Sequence, residues 1–530
     1  MMRRGMGAPT SLAIAAGLAM AMLSCGGGES PTAPGSTATP DASGVDATPA
    51  LPPSGVGVSP QATPDAQRAQ SAPPRPSLPR PQVPAEIPAP TDPAALDPGV
   101  RARIDELSSS LASDRTAGKA WLALADTLLA HGEPAGAAAA YAGAVALLAD
   151  GDPQLERAAY LRAVALSDAG ETTASVEAIA PLAASSRTPQ VQWRFALLLA
   201  AEGRLEEAVA AARAAVALDA RDMRAHAALA QVASEAGDWA TAEQAARAGL
   251  AINPRNGHLY GILAASLRAQ GRENEASALL GAGRFTRADW LDPWLRDLRA
   301  IRLGQAAAIE RFYEAMRAGD AARANAELEV VARTDDDASK GRVALMRAQL
   351  AVSSNDHASA AKHLDEAAAG GAPECDVAIV RATIVARQAS TPEALEPIVA
   401  ALEPLACEGD AESTRLELIG SIRLAQRRWS DAATAIAAAD AARPGGAGPS
   451  LKKAIATMDK AGAHVEARML AERLRDAEPL NPEPHLLIAV LSLRAGDIAT
   501  ARAAAAEVGR IAPNHPALRK LMGEIQQASR

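Results

Sequence analysis

The sequence predicts an all-α solenoid of antiparallel helix pairs, and three observations carry that expectation. A glycine or a stand-in returns at Gly132, Gly170, Gly203, Gly237, Gly271, Gly319, Asn355, Ala389, Arg427, Gly462 and Gly496, at intervals of 38, 33, 34, 34, 48, 36, 34, 38, 35 and 34 residues. The stretches between them are Ala-rich, helix-forming and too long for strands, so each interval holds two helices and a tight turn. Hydrophobic residues make up 48% of the 530 residues but aromatics only 2%, which requires a core of Ala and Leu between closely approaching helices. A repeat array of this length needs no division into globular domains, because each unit packs on its neighbours alone.

The first element is an export signal over residues 1–24. Arg3 and Arg4 supply a positive start, Leu12 to Leu23 an apolar run too short for a membrane span, and Ser24 a small residue before Cys25. The sequence around Cys25, MLSCGGG, resembles the lipobox of bacterial lipoproteins, with Met22 where that family prefers Leu. The resemblance implies cleavage before Cys25 and a lipid on its thiol. Gly26 in place of a retaining Asp implies an outer-membrane lipoprotein facing the periplasm; without the lipid, the product is secreted or periplasmic.

Residues 25–96 form the lipid site and an expected disordered linker. Eighteen of the 36 prolines fall between Gly26 and Pro98, among Ser, Thr, Gly and Ala. So little bulky apolar surface cannot offset the ordering entropy, and polyproline segments there reach on the order of 200 Å at most.

An N-terminal array of about five repeats is expected over 97–283, opened by a lead-in helix from Asp97 to Leu111. Trp121, Leu124, Ala125, Leu128, Gly132, Ala137, Tyr141 and Ala144 resemble the consensus of tetratricopeptide repeats. Phe195, Ala196, Leu199, Gly203, Ala208 and Ala215 keep the same register, as do Tyr260, Leu263, Ala264, Leu267, Gly271 and Ala276. The resemblance implies a right-handed superhelix. Asp follows the turn residue at Gly237, Gly319 and Gly496, where it can accept from the free amides that open the next helix.

The 48-residue interval places an insertion or hinge at 284–304, with Trp290 and Trp294 in a chain poor in aromatics. Two readings fit them: anchors for a partner, or a cover for the Ala-lined junction of two lobes. A second array of about six degenerate repeats and a capping helix, Ala517 to Gln527, is expected over 305–530. Within it Cys375 starts one helix and Cys407 follows the end of its antiparallel partner, so that a disulfide and a pair of free thiols are both open readings.

Function is sought in the lining of the array, since no reactive motif is present. There is no phosphate-binding glycine loop, HExxH, CxxC or GxSxG. His357 and His363 do not share a helical face, and Asp335, Asp336 and Asp337 read as a solvated loop. The net charge of −9 is spread along the chain and forms no basic stripe, which argues against nucleic acid. No metal, cofactor, small-molecule substrate or enzymatic activity is expected. By resemblance, the second, fifth, ninth and twelfth places of each repeat face a concave groove: Lys119, Leu122, Asp126, Arg157, Tyr160, Gln190, Trp193, Arg224, Gln231, His258 and Arg268. Such a column suits a protein or an acidic or C-terminal peptide, with Tyr160 and Trp193 as aromatic anchors. The asparagines of a chaperone-tail clamp are missing. The expected function is a periplasmic scaffold; the alternatives are an apoprotein chaperone similar to the repeat part of cytochrome c maturation factors and an adaptor for polysaccharide-export or cell-wall machinery.

Overall fold

The computed structural model describes residues 78–280, 290–333, 337–443 and 449–530. The signal, Cys25 and most of the expected linker lie outside them, as do Asp335 and Asp336 and residues 284–289 of the expected insertion. Among the described residues the ordered elements are helical, with no strand, and no helix is long and apolar enough to cross a membrane.

Helix α1 (Pro98–Ser113) leads in. Five hairpins follow: α2 (Gly118–Ala130) with α3 (Pro134–Leu147), α4 (Pro153–Asp168) with α5 (Thr172–Ser185), α6 (Pro189–Ala201) with α7 (Leu205–Leu218), α8 (Met223–Glu235) with α9 (Trp239–Ile252), and α10 (Gly257–Ala269) with α11 (Glu273–Leu280). The short helix α12 (Pro293–Ala300) stands apart. Six further pairs are α13 (Gln305–Ala318) with α14 (Ala321–Ala332), α15 (Asp337–Ser353) with α16 (His357–Ala369), α17 (Glu374–Gln388) with α18 (Glu396–Leu402), α19 (Gly409–Ala425) with α20 (Trp429–Ala442), α21 (Pro449–Lys460) with α22 (His464–Ala477), and α23 (Pro482–Arg494) with α24 (Ile498–Ile511). Helix α25 (Leu518–Ala528) caps the end.

The turn chemistry explains these boundaries. Eight of the periodic glycines have φ between +73° and +85°, the left-handed conformation that ends a helix and that a Cβ resists. Asn355 (φ 58°) and Arg427 (φ 56°) adopt it too, and are the non-glycine residues that do so among those described. Where an Asp follows the turn, it caps the second helix. Asp238, Asp320, Asp356 and Asp497 each accept from a backbone amide three residues on, at 2.9 to 3.1 Å.

Ala389 does not belong to this series. Its φ is −66°, and the chain leaves α17 extended before a 3₁₀ turn, Glu393–Leu395, runs into the seven-residue α18. An alanine meets a steric cost in the left-handed region, and here it takes an extended conformation instead. Cys375, in the first turn of α17, is joined to Cys407, beyond the end of α18, by a disulfide with Cα atoms 5.8 Å apart.

The expected linker ends earlier than residue 96. From Leu78 the chain lies extended along the first two hairpins, with Leu78, Ile87 and Leu96 packed on the core. The Arg80 guanidinium donates to the carbonyls of Val145 and Leu148 at the end of α3 and pairs with Asp150. Thr91 donates both its amide and its hydroxyl to Glu133. Composition alone marked this stretch as linker, because it counts prolines and cannot weigh three apolar side chains that pack on the core, or an arginine and a threonine that find partners 42 to 70 residues away.

The segment leading into the second array touches the first near its start, and the second array itself touches it further along. Leu303 donates its amide to His131, and Gly304, at φ +90°, leaves room only for the Asp97 carboxylate beside it. At the far end Arg255 pairs with the buried Glu478, and Leu480 packs against the core of the first array.

Candidate partner-binding groove

Side chains four places apart share one face of a helix, so the first helices of successive hairpins present a continuous inner column. Helices α2, α4, α6, α8 and α10 supply it in the first array. The expected residues all lie on these first helices, and part of the column is already covered. Residues 290–304 do not sit at the junction between two lobes; they run back along the inner face from α10 towards α2.

Three expected residues meet this segment. Trp193 of α6 is fully buried, its ring centroid 5.6 Å from that of Trp290. His258 of α10 meets the same Trp290 edge-on at 6.1 Å. Tyr160 of α4, also fully buried, meets Trp294 edge-on at 4.9 Å. Such aromatic pairs contribute about 0.5–1.5 kcal/mol each beyond the area they bury.

Between the two tryptophans lies Asp292, 1% exposed. One carboxylate oxygen accepts from the Leu295 amide at 2.9 Å and so caps α12, and the other accepts from the Tyr160 hydroxyl. Arg194 completes the arrangement. Its guanidinium lies 4.8 Å from the Trp193 ring centroid and 6.0 Å from that of Tyr160. It donates to the Tyr160 oxygen at 3.1 Å and to the Trp290 carbonyl at 3.1 Å, and stands 3.7 Å from the Asp292 carboxylate. A buried carboxylate is tolerable only with such partners. Burial pushes the Tyr160 hydroxyl well above the usual phenol range, with the Asp292 charge adding to it, so Tyr160 stays a donor. Burial also holds the His258 imidazole below its ordinary value.

The other expected residues divide. Lys119, Leu122, Asp126 and Arg157 line the open mouth of the groove beside Trp294 and Asp297, a cavity of about 590 Å³. Arg157 is committed there, 2.9 Å from Asp126, which also accepts from Tyr141 at 2.7 Å. Gln231 donates to Glu235 on its own helix, and Arg268 pairs with Glu273 across its own turn. Gln190 and Arg224 are half-buried on the same column.

Arg194 and Asp292 were missed by the sequence reading. Arg194 stands at the sixth place of its repeat, outside the register used to select the lining, and nothing in the sequence says that Asp292 returns to Tyr160, 132 residues away.

The second array has its own cleft, of about 330 Å³, between α21 and α23. Ile455, Ala456, Pro484, Leu487 and Val490 form its apolar floor, with Lys452, Asp459 and Glu483 at the rim. Among the described residues no group of three or more His, Cys, Asp or Glu is placed to hold a metal ion, and His363 pairs with Glu366 instead.

Residues 460–525, which span α22 to α24 and most of α25, match the tetratricopeptide repeat family model. No curated protein matches the chain. Among solved structures, the chain is similar to MamA protein, at 17% identity over 33% of this chain and 98% of that one, with a TM-score of 0.28. It is similar to a tetratricopeptide repeat protein from Parabacteroides merdae ATCC 43184, at 12% identity over 54% and 100%, with a TM-score of 0.28. It is also similar to yeast Tom70, at 14% identity over 80% and 91%, with a TM-score of 0.29.

Proposed function

We propose that this chain is a non-catalytic scaffold that gathers protein or peptide partners on the inner face of its solenoid. The observation that carries this reading is the segment around Trp290 and Trp294. The inner face already holds a stretch of polypeptide through aromatic contacts, a buried carboxylate and a hydrogen bond to a main-chain carbonyl, which are the means by which a groove recognises a peptide. The mouth beside Lys119 and the cleft beside Leu487 are open to partners in the described structure.

The scaffold is exported and held by lipid on Cys25 at the outer membrane, facing the periplasm. The lipobox-like sequence supports this, and so does the Cys375–Cys407 disulfide, a bond that persists in oxidising compartments.

Photocrosslinking in cells tests the scaffold. A photoreactive side chain at position 119 or 487 of the full chain should give discrete adducts with the same envelope proteins from preparation to preparation. The adducts at 119 should disappear with Arg157→Glu, and those at 487 with Ile455→Arg. A folded, exported chain that yields no protein adduct from either position overturns the reading. Labelling with a clickable fatty acid tests the anchor: the parent should take up label and Cys25→Ser should not, and an unlabelled parent rejects it.

A further inference from the structure

The segment on the first array has the form of a ligand. Trp290, Asp292 and Trp294 stand at alternate positions and all turn inward, while Pro293 between them is exposed. The receptor side is held by other contacts: Trp193 packs on Ala215, Ala225 and Ala228, and Arg194 lies over the Trp193 ring. Tyr160, Trp193, Arg194 and His258 come from α4, α6 and α10, which are built as hairpins without the segment. One guanidinium there reads both a carboxylate and a backbone carbonyl, which fixes the register of whatever lies across it.

We propose that this part of the groove is a recognition site for a peptide that presents an aromatic side chain, an Asp two residues later that caps a short helix, and a second aromatic two residues after that. The chain's own Trp290–Trp294 is its resident occupant and competitor. This rests on the scaffold reading and names the partner chemistry of that site. A partner that carries the same pattern takes the aromatic slots beside Trp193 and Tyr160 and offers its carboxylate to Tyr160 and Arg194. The resident segment is then displaced as a unit, because its three contacts lie within five residues.

The size of the competition follows from linkage. A segment tethered in cis acts at an effective concentration of the order of millimolar, so if it binds as a free peptide at tens of micromolar, it raises a competitor's apparent Kd about 10- to 100-fold. A fluorescent peptide of residues 286–298 is titrated into the full chain and into the full chain with Trp290→Ala, Asp292→Ala and Trp294→Ala together. The peptide should bind the triple variant about 10- to 100-fold more tightly than the parent. Adding Arg194→Ala to the triple variant, or carrying Asp292→Ala in the peptide, should weaken that binding at least 10-fold. A triple variant with parental helicity and no affinity for the peptide overturns the proposal, and so does affinity indifferent to Arg194 and to the peptide's Asp. Should the triple variant fail to fold, Asp292→Ala alone carries the test, and binding no tighter than to the parent rejects the idea. If the peptide fails while crosslinks from position 487 persist, the recognition site falls and the scaffold stands; if the peptide binds and no crosslinks form, the reverse holds.

Discussion

The two arrays use one architecture and hold it together differently. In the first, one large buried cluster runs from Val100 to Leu298, built from Ala and Leu with Trp121, Tyr141 and Tyr260 set among them, beside a small one around Trp193. In the second, the core is divided into four clusters, and charged side chains are buried beside them. Arg423, with its side chain 6% exposed, pairs with Glu396 and Glu403, and the buried Glu417 accepts from Arg443 and Ser450. Removing one partner of such a pair leaves the other charge buried, so the second array is sensitive to polar changes where the first is sensitive to changes of volume. Near-consensus repeats rest chiefly on packing, with largely buried polar contacts at Asp126 and Asp292; degenerate ones add ion pairs and a disulfide.

The largest expected effect tests the packing side. Trp121 is fully buried, and a Cβ on Gly143 would lie 2.5 Å from its ring, so Trp121→Ala opens a cavity where the helices sit closest. It should cost about 3–5 kcal/mol. Because repeats couple mainly to their neighbours, calorimetry should show the loss in the transition of the first array, and an equal shift in both would abolish the distinction.

Next comes the staple. Cys375 and Cys407 are 32 residues apart, so opening the bond with reductant or with Cys375→Ser and Cys407→Ser should cost the second array roughly 3–4 kcal/mol. The first array should melt unchanged, and a reductant effect there would be evidence against independent stapling.

A smaller effect concerns the turns. Arg427 is exposed and pays the steric cost of the left-handed conformation, which glycine avoids at Gly203 and Gly237. Arg427→Gly should stabilise the second array by about 1 kcal/mol and Gly237→Arg destabilise the first by a similar amount, measured by denaturant midpoint. Two changes of the same sign would mean that the turns do not limit stability.

The smallest effect depends on pH. Burial pushes the Asp376 carboxyl, beside the disulfide, up from its ordinary 3.8 to about 6. An acid so raised favours folding below its ordinary value, and that contribution is lost as pH rises through about 6. Asp376→Asn should therefore raise the melting temperature slightly at pH 7.5 and leave it unchanged at pH 4; the opposite pattern would show that the carboxylate is stabilised in place.

Much of this was legible in the sequence. The turns at Gly132 to Gly271 and the Asp caps at 238, 320 and 497 could be read because each is local: a left-handed residue and an acceptor within three residues decide the outcome. Asn355, which tolerates the left-handed region, and Arg427, which does not favour it, were both found by spacing alone. Ala389 failed because the period counts residues and does not weigh the steric cost an alanine meets in the left-handed region. Register selects a column along the first helices but not what lies on it, since the meeting of Asp292 with Tyr160 and Arg194 is long-range and leaves no periodic trace. The ordered stretch from Leu78 was hidden for the same reason: proline content describes what a segment does alone, not what it finds to lie against.

That stretch alters how the molecule bears load. A solenoid pulled by its first helix peels open one hairpin at a time, since each contact is strained in turn. Here tension arriving along the N-terminal tail meets Leu78 and Arg80 and passes to the carbonyls that close α3, across the boundary of the first two hairpins. Several contacts must then slide together, so the array resists as a block in shear and α1 is spared.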